Sequence, residues 1–149
     1  MSKMKDKDGF TIIELIIALV IISVILLVIV PAGQKATDNS RIANAMASIK
    51  AIQTAAVGWA NDNGGQYAGI TFANLTNGYL PAQFTATSTN PWNGDYSINV
   101  NANDSTMFDI ALTNVPIESA TKLTTAMTKL SEVVPSYTAS SQTWSTTLH

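Results

Sequence analysis

From Leu15 to Val30 every residue is apolar except Ser23, and Phe10, Ile12 and Ile13 extend the run upstream. Few environments accept such a stretch. Phe10 to Gly33 would span about 36 Å as a helix, more than the ~20 residues needed to cross a hydrocarbon core. Its many Ile and Val residues are poor helix formers in water. A bilayer, however, forces backbone hydrogen bonds inward and leaves helix as the economical form. Lys3, Lys5 and Lys7 precede the run, so the positive-inside rule places the N-terminus in the cytoplasm and the rest outside.

One residue is out of keeping with that run. Glu14 sits four residues inside it, and a lone charge at the centre of a membrane helix costs about 2.5–3.5 kcal/mol. Near the interface the cost is smaller but still favours pairing. A cut between Gly9 and Phe10 would create an α-amine about 6 Å along the axis from Glu14. Its own amine is awkward to reach along a helix. A neighbouring copy shifted by about one turn would set its amine beside this carboxylate, which in low dielectric fixes register as well as adding attraction. A cleavable secretory signal is the plainer alternative, with Val30-Pro31-Ala32 as its cleavage site. The apolar run is longer than such signals use, and Glu14 has no role in one. An ordinary signal anchor also leaves Glu14 unexplained.

Gly9-Phe10-Thr11-Ile12-Ile13-Glu14-Leu15, followed by an apolar helix, resembles the class III signal of type IV pilins and their pseudopilin relatives. The resemblance implies that a prepilin peptidase cuts after Gly9 and methylates the new N-terminal Phe10. It further implies that Phe10, Thr11 and Glu14 take part in assembly, with Glu14 neutralising the amine of an adjacent subunit. Pro31 stands where many members carry a proline that kinks or locally melts the helix in the filament. Physically, Pro31 removes a backbone donor and Gly33 adds flexibility.

Composition limits the rest. At 149 residues the chain holds one modest domain plus a membrane segment. Charged residues are 12%, about half the usual share, so Ser, Thr and Asn must supply the polar surface. Such a surface suits an exported protein packed against copies of itself. Beyond Gly33 five cations face seven anions, which gives nucleic-acid binding through phosphates little support. The absence of cysteine excludes disulfides, a thiolate nucleophile and thiolate metal sites.

After Gly33 a second helical pattern begins. Ile42, Ala45, Met46, Ile49, Ile52, Ala56 and Trp59 recur at three- and four-residue steps, so Phe10 to about Ala60 reads as one long, interrupted helix stopped by Asp62-Asn63-Gly64-Gly65. Residues 66–94 read as a loop-rich connector anchored by Tyr67, Phe72, Leu75, Tyr79, Leu80 and Phe84. Tyr96, Ile98 and Val100 alternate, as do Phe108, Ile110 and Leu112, predicting two strands around the tip 101–106. Ile117, Ala120, Leu123, Met127, Leu130 and Val134 mark one face of a further helix, with Pro116 in its first turn and Pro135 ending it. The Ser/Thr-rich tail holds one or two more strands. The expected fold is α+β: a long N-terminal helix, membrane-spanning in its first half, carrying a small antiparallel head sheet and one additional helix.

That order is similar to the type IV pilin fold, and Asn90-Pro91-Trp92-Asn93-Gly94 with Phe108 to Ala120 resembles the type IVb subgroup. Two features depart from it. The leader is only nine residues, and Ser119 and Ala120 stand about where the first cysteine of a C-terminal disulfide is expected. The Pro-Trp-Asn-Gly turn before a Tyr-containing strand also resembles major pseudopilins of type II secretion.

Other motifs weigh toward ordinary structural roles. Asn99, Asn101, Asn103 and Asp104 offer alternating oxygens but lack the glycine and terminal glutamate of a calcium loop, so a hairpin tip is the better reading. Asn74 and Asn103 begin short glycosylation-like sequons that carry little weight. His149 reads as a frayed end, and Glu118 with Lys122 as an exposed helix pair. Nothing assembles a catalytic group, so neither an enzyme nor a cofactor is expected.

The expected organisation is a leader at 1–9, an N-terminal helix at 10–60 with 10–33 in the membrane or filament core, and a head at 61–149. The function this implies is a structural subunit, a major pilin, of a type IV pilus. The chain would be a single-pass inner-membrane prepilin before it becomes an extracellular filament. Its partners would be membrane lipid, prepilin peptidase, an inner-membrane platform with its assembly ATPase, and copies of itself. A type II secretion pseudopilin, a non-polymerising membrane-anchored periplasmic domain and a secreted domain released at Ala32 remain as alternatives. Such filaments serve adhesion, motility, conjugation, DNA uptake or secretion according to their head surfaces.

Overall fold

The computed structural model describes residues 12–128 and 134–149, and side chains at 23–36 fall outside that description. Two units emerge, Met1–Thr37 and Asp38–His149. Helix α1, Ile12–Asp62, contributes to both. Its backbone keeps the helical pattern through Pro31 and Gly33. It ends two residues beyond the expected Ala60. There Gly64 takes φ +73° and the Gly65 amide donates to the Ala60 carbonyl at 2.7 Å, which satisfies a last-turn acceptor as glycine caps do.

The second unit is built on the C-terminal part of α1. Ile42, Ala45, Ile49, Ile52, Ala55, Ala56 and Ala60 are buried, at steps of one to four residues that keep to one side of the helix. Met46 and Trp59 pack at the edge of this stripe, half-buried. The alanines leave room for a sheet to approach.

That sheet has four antiparallel strands in the order β1-β2-β4-β3: β1 Tyr96–Val100, β2 Phe108–Leu112, β3 Ser136–Thr138 and β4 Thr143–Leu148. The two hairpins interlock because β4 pairs with β2 in a register that aligns their inward residues. Phe108 lies opposite Leu148, Ile110 opposite Thr146 and Leu112 opposite Trp144. Period-two alternation sends these residues to the core, where Phe108, Ile110, Leu112, Trp144 and Leu148 are fully buried. Trp144 is thus a central core residue.

Two expectations about helices need correction. Phe72–Thr76 forms a short helix, α2, inside the stretch read as connector, so among the described residues the head has two helices beyond α1. Thr71 caps it by accepting from the Asn74 amide at 3.2 Å, and Leu75 seats it in the core. Helix α3 spans Ile117–Met127 and begins after Pro116, which serves as N-cap with φ −62° and ψ 146°. Ser119, Ala120, Leu123 and Met127 form its buried face. Val134 is not on that face: it is non-helical and 66% exposed. Leu130 lies outside the described residues. Lys122 reaches Asn39 at 3.5 Å rather than Glu118.

The buried Ser119 and Ala120 occupy the place where the resemblance puts a cysteine. Hydrogen bonds tie the region instead. Trp144 Nε1 donates to Thr124 Oγ1 at 3.0 Å, and the Tyr137 hydroxyl donates to the Val115 carbonyl at 2.9 Å. Gln53 Nε2 also reaches the His149 carbonyl at 3.4 Å, so the terminal residue is held against α1 rather than frayed.

The turn before β1 is a cage around Asn90, which is 2% exposed. Its Oδ1 accepts from the amides of Trp92 at 2.9 Å and Gly94 at 3.1 Å. Its Nδ2 donates to the carbonyls of Thr113 at 2.8 Å and Asp95 at 3.4 Å. Every side-chain hydrogen-bonding group that can be satisfied here is engaged, as burial of a carboxamide demands. Thr113 completes the clasp by accepting the Asp95 amide on its hydroxyl at 2.8 Å.

Among the described residues three buried groups lack such satisfaction, Trp59 Nε1, Trp92 Nε1 and Thr146 Oγ1. Thr146 is 4% exposed, and its Oγ1 has no hydrogen-bond partner. A buried unpaired hydroxyl costs about 1–3 kcal/mol. Thr146→Val keeps the β-branched shape and removes that hydroxyl. It is therefore expected to raise the unfolding midpoint of the full chain by several degrees in thermal denaturation followed by circular dichroism. A lowered midpoint would show that the hydroxyl has a use.

Candidate functional site

The residues that carry the functional expectation sit at the start of α1. Gly9, Phe10 and Thr11 lie outside the described residues. Glu14 is within them, an exposed carboxylate in the first turn of α1. An acid in that position opposes the partial positive charge of the helix start. Ile12 and Ile13 precede it and Leu15 to Ile22 follow.

The surface around Glu14 is unusual for a protein in water. Ile12, Ile13, Leu15, Ile16, Ile17, Leu19, Val20, Ile21 and Ile22 are each between 51% and 80% exposed. Consecutive residues on a helix point about 100° apart, so this run presents apolar side chains on every side. A surface helix with one partner shows one apolar stripe and one polar face. This one has no polar face beyond Glu14. Covering it takes lipid all around, or several neighbouring helices at once. Burying each of these side chains fully is worth about 1.5–3 kcal/mol, so the drive to be covered is large. Among the described residues no helix is long and apolar enough to cross a membrane. The apolar sequence continues into 23–30, whose side chains are outside the description.

Within the second unit the polar groups close on one another. At the tip between β1 and β2, Asn101 Oδ1 accepts the amides of Asn103 at 2.9 Å and Asp104 at 3.2 Å. Asp104 Oδ1 accepts the hydroxyl and amide of Thr106, at 2.6 and 2.8 Å. These two donors hold the Asp104 carboxyl below its ordinary range, the hydroxyl contributing most. Asn101 Nδ2 and the Thr147 hydroxyl both donate to Asp109 Oδ1, at 3.0 and 2.6 Å. Of the four residues that resembled a calcium loop, Asn101 and Asp104 have side-chain oxygens occupied in tightening a hairpin. Among the described residues no cluster of His, Asp or Glu could hold a metal ion.

Near the end of α1 the Tyr79 hydroxyl donates to Asp62 Oδ2 at 2.7 Å, and its ring meets Trp59 edge-on at 5.8 Å. The hydrogen bond to Asp62 raises the Tyr79 pKa above its ordinary value. Burial does the same for Tyr67 and Tyr96. Tyr79 is a structural strap between loop and helix. The role of Asn90 was not apparent from residue type alone. Its one signal was position, four residues before a glycine in a Pro-Trp-Asn-Gly run.

Comparison with known proteins bears on the N-terminal segment. Residues 4–30 match the family model described as the prokaryotic N-terminal methylation motif, the class III signal of type IV pilins and pseudopilins. No curated protein and no solved structure matches the chain. At its N-terminal end the chain is therefore pilin- or pseudopilin-like, with a signal that implies processing by prepilin peptidase and assembly into a pilus-type filament. The mixed architecture, a long helix with a small four-stranded antiparallel sheet, is compatible with a pilin-like fold.

Proposed function

We propose that this chain is a structural subunit, the major pilin, of a type IV pilus. In this reading a prepilin peptidase cuts between Gly9 and Phe10 and methylates the Phe10 amine. The subunit waits in the inner membrane as a single-pass protein with residues 10–33 in lipid. An assembly platform driven by a cytoplasmic ATPase then extracts it, and each new Phe10 amine docks on Glu14 of a subunit already in place. The apolar residues exchange lipid for neighbouring helices, so assembly never exposes them to water. The role is structural rather than enzymatic and calls for no cofactor. The retained Glu14 favours a bulk subunit over a tip-initiating one, and the head favours the type IVb subgroup.

One observation carries this reading: the methylation motif at 4–30 contains a helix start, 12–22, that is apolar on every side and holds a single acid in its first turn. A type II secretion pseudopilin is the second reading, favoured by the Trp92-Asn93-Gly94 turn that feeds directly into the Tyr96 strand. Intact mass of the mature protein tests the common core of both. Loss of residues 1–9 with gain of one methyl group is the expected result. An N-terminus at Gly33 would mean a secreted domain, and an unprocessed chain a non-polymerising anchor. Either outcome overturns the proposal. Imaging of sheared surface filaments then separates pilus from pseudopilus.

A further inference from the structure

Three Asn–Gly pairs stand in the chain, Asn63–Gly64, Asn77–Gly78 and Asn93–Gly94. Their local chemistry is the same. Glycine has no Cβ to shield its backbone nitrogen, so that nitrogen can attack the side-chain carboxamide of the preceding asparagine. The attack needs a glycine N–H that is not donated elsewhere, a carboxamide that is not tethered, and a backbone free to rotate.

The fold meets those needs very differently at the three sites. At Asn93 the backbone is held at φ +59°, the Gly94 amide donates to Asn90 Oδ1, and Gly94 is buried against Thr113. The glycine N–H is donated and the backbone is fixed, so two of the three conditions fail. At Asn63 the carboxamide donates to the Trp59 carbonyl at 2.9 Å, and the backbone amide donates to the carbonyls of both Trp59 and Ala60. The side chain is tethered. At Asn77 both residues are exposed, and neither the carboxamide nor the Gly78 amide makes a hydrogen bond. Gly78 has φ +126° with open space where a side chain would be. The flanks are anchored, since the Asn77 amide donates to Asn74 and the amides of Tyr79 and Leu80 donate to Leu75. Only the peptide between Asn77 and Gly78 is left loose.

We propose that Asn77–Gly78 is a self-modifying site of the folded head, converting through a cyclic imide to aspartyl and isoaspartyl forms. The Gly78 nitrogen forms a bond to Asn77 Cγ and gives up its proton, and the carboxamide nitrogen leaves as ammonia. Water then opens the ring at either carbonyl. Opening at one gives Asp at position 77. Opening at the other leaves the backbone running through the former side chain, one methylene longer. No oxidant or cofactor is needed. Each event adds a negative charge to a chain of formal net charge −2, on the loop that leads into the Tyr79 strap. On the reading of the chain as a filament subunit, that change repeats along the polymer and distinguishes aged subunits from new ones.

The test is peptide mapping by mass spectrometry of the full chain in detergent micelles, aged at mildly alkaline pH beside an identical sample in denaturant. In the folded sample residue 77 is expected to convert at least about tenfold faster than residue 93, because conversion there requires no opening of protected structure. In denaturant the three sites should converge to within about a few fold. Asn77→Gln should abolish the signal at 77 and leave the slower one at 63. Equal rates at 77 and 93 in the folded protein would overturn the proposal. So would an intact Asn77 after the time in which the denatured sample has converted. None of these outcomes depends on whether the chain forms a filament.

Discussion

Gly94→Ala is expected to leave the head unfolded or close to it. A Cβ at this position would sit 2.1 Å from the Thr113 carbonyl oxygen, 2.5 Å from its carbon and 2.7 Å from its hydroxyl oxygen. The first two are backbone atoms, so no side-chain rotation relieves the clash. Either β1 or the segment after β2 must move. The movement would break the Asn90 cage and the Asp95–Thr113 pairing that set the β1–β2 register. Overpacking alone costs about 1–3 kcal/mol. Adding a buried carboxamide stripped of its partners brings the loss to about 4 kcal/mol or more, a large share of the 5–15 kcal/mol that holds a typical domain together. Gly64→Ala is the control. Gly64 has φ +73° but nothing within 4 Å of an added Cβ, so only backbone strain is incurred, about 1 kcal/mol. Denaturant unfolding of both variants in micelles separates the two effects. If Gly94→Ala proves no worse than Gly64→Ala, the close approach to Thr113 does not constrain the fold.

That contrast also shows which features were legible from residues alone. The stripe from Ile42, the two alternating strands and the start of a helix after Pro116 are all local patterns, and each emerged where its period predicted. Helix α2 did not announce itself, because five residues complete barely one turn and offer no period. Its signal was the Thr71 cap three residues before Asn74. The end of α3 was misjudged for the opposite reason. Leu130 and Val134 extend the helical spacing, yet Val134 stands exposed outside the helix. Spacing records what a helix could bury and not where the sheet beneath it ends. The insertion of β4 beside β2 depends on how Trp144, Thr146 and Leu148 align with residues more than thirty positions away, and no local window contains that information. At the functional end the reverse holds. The signal at Gly9, Phe10 and Glu14 is entirely a matter of local sequence.

Glu14→Ala is expected to leave synthesis, cleavage and methylation intact while lowering filament yield by about tenfold or more. Alanine at this position is a good helix former and keeps the apolar surface continuous, so the monomer should rest at least as comfortably in lipid. What disappears is the one charge on that surface. In the proposed assembly each Phe10 amine enters a low-dielectric environment and needs a counter-charge there. Removing one partner of a buried ion pair costs about 3–5 kcal/mol, because the other charge is left uncompensated. A filament repeats the loss at every subunit. Glu14→Gln makes a sharper companion, since it keeps an acceptor for the amine and lacks only the charge. It should fall between the wild type and the alanine variant if the contact is a hydrogen-bonded ion pair, and match the alanine variant if charge alone matters. The measurement compares sheared filament with mature, methylated subunit in the membrane, so loss of assembly is distinguished from loss of protein. Wild-type filament yield from Glu14→Ala, with the mature subunit at its normal level, would mean that the amine finds its partner elsewhere and that Glu14 does not set the register.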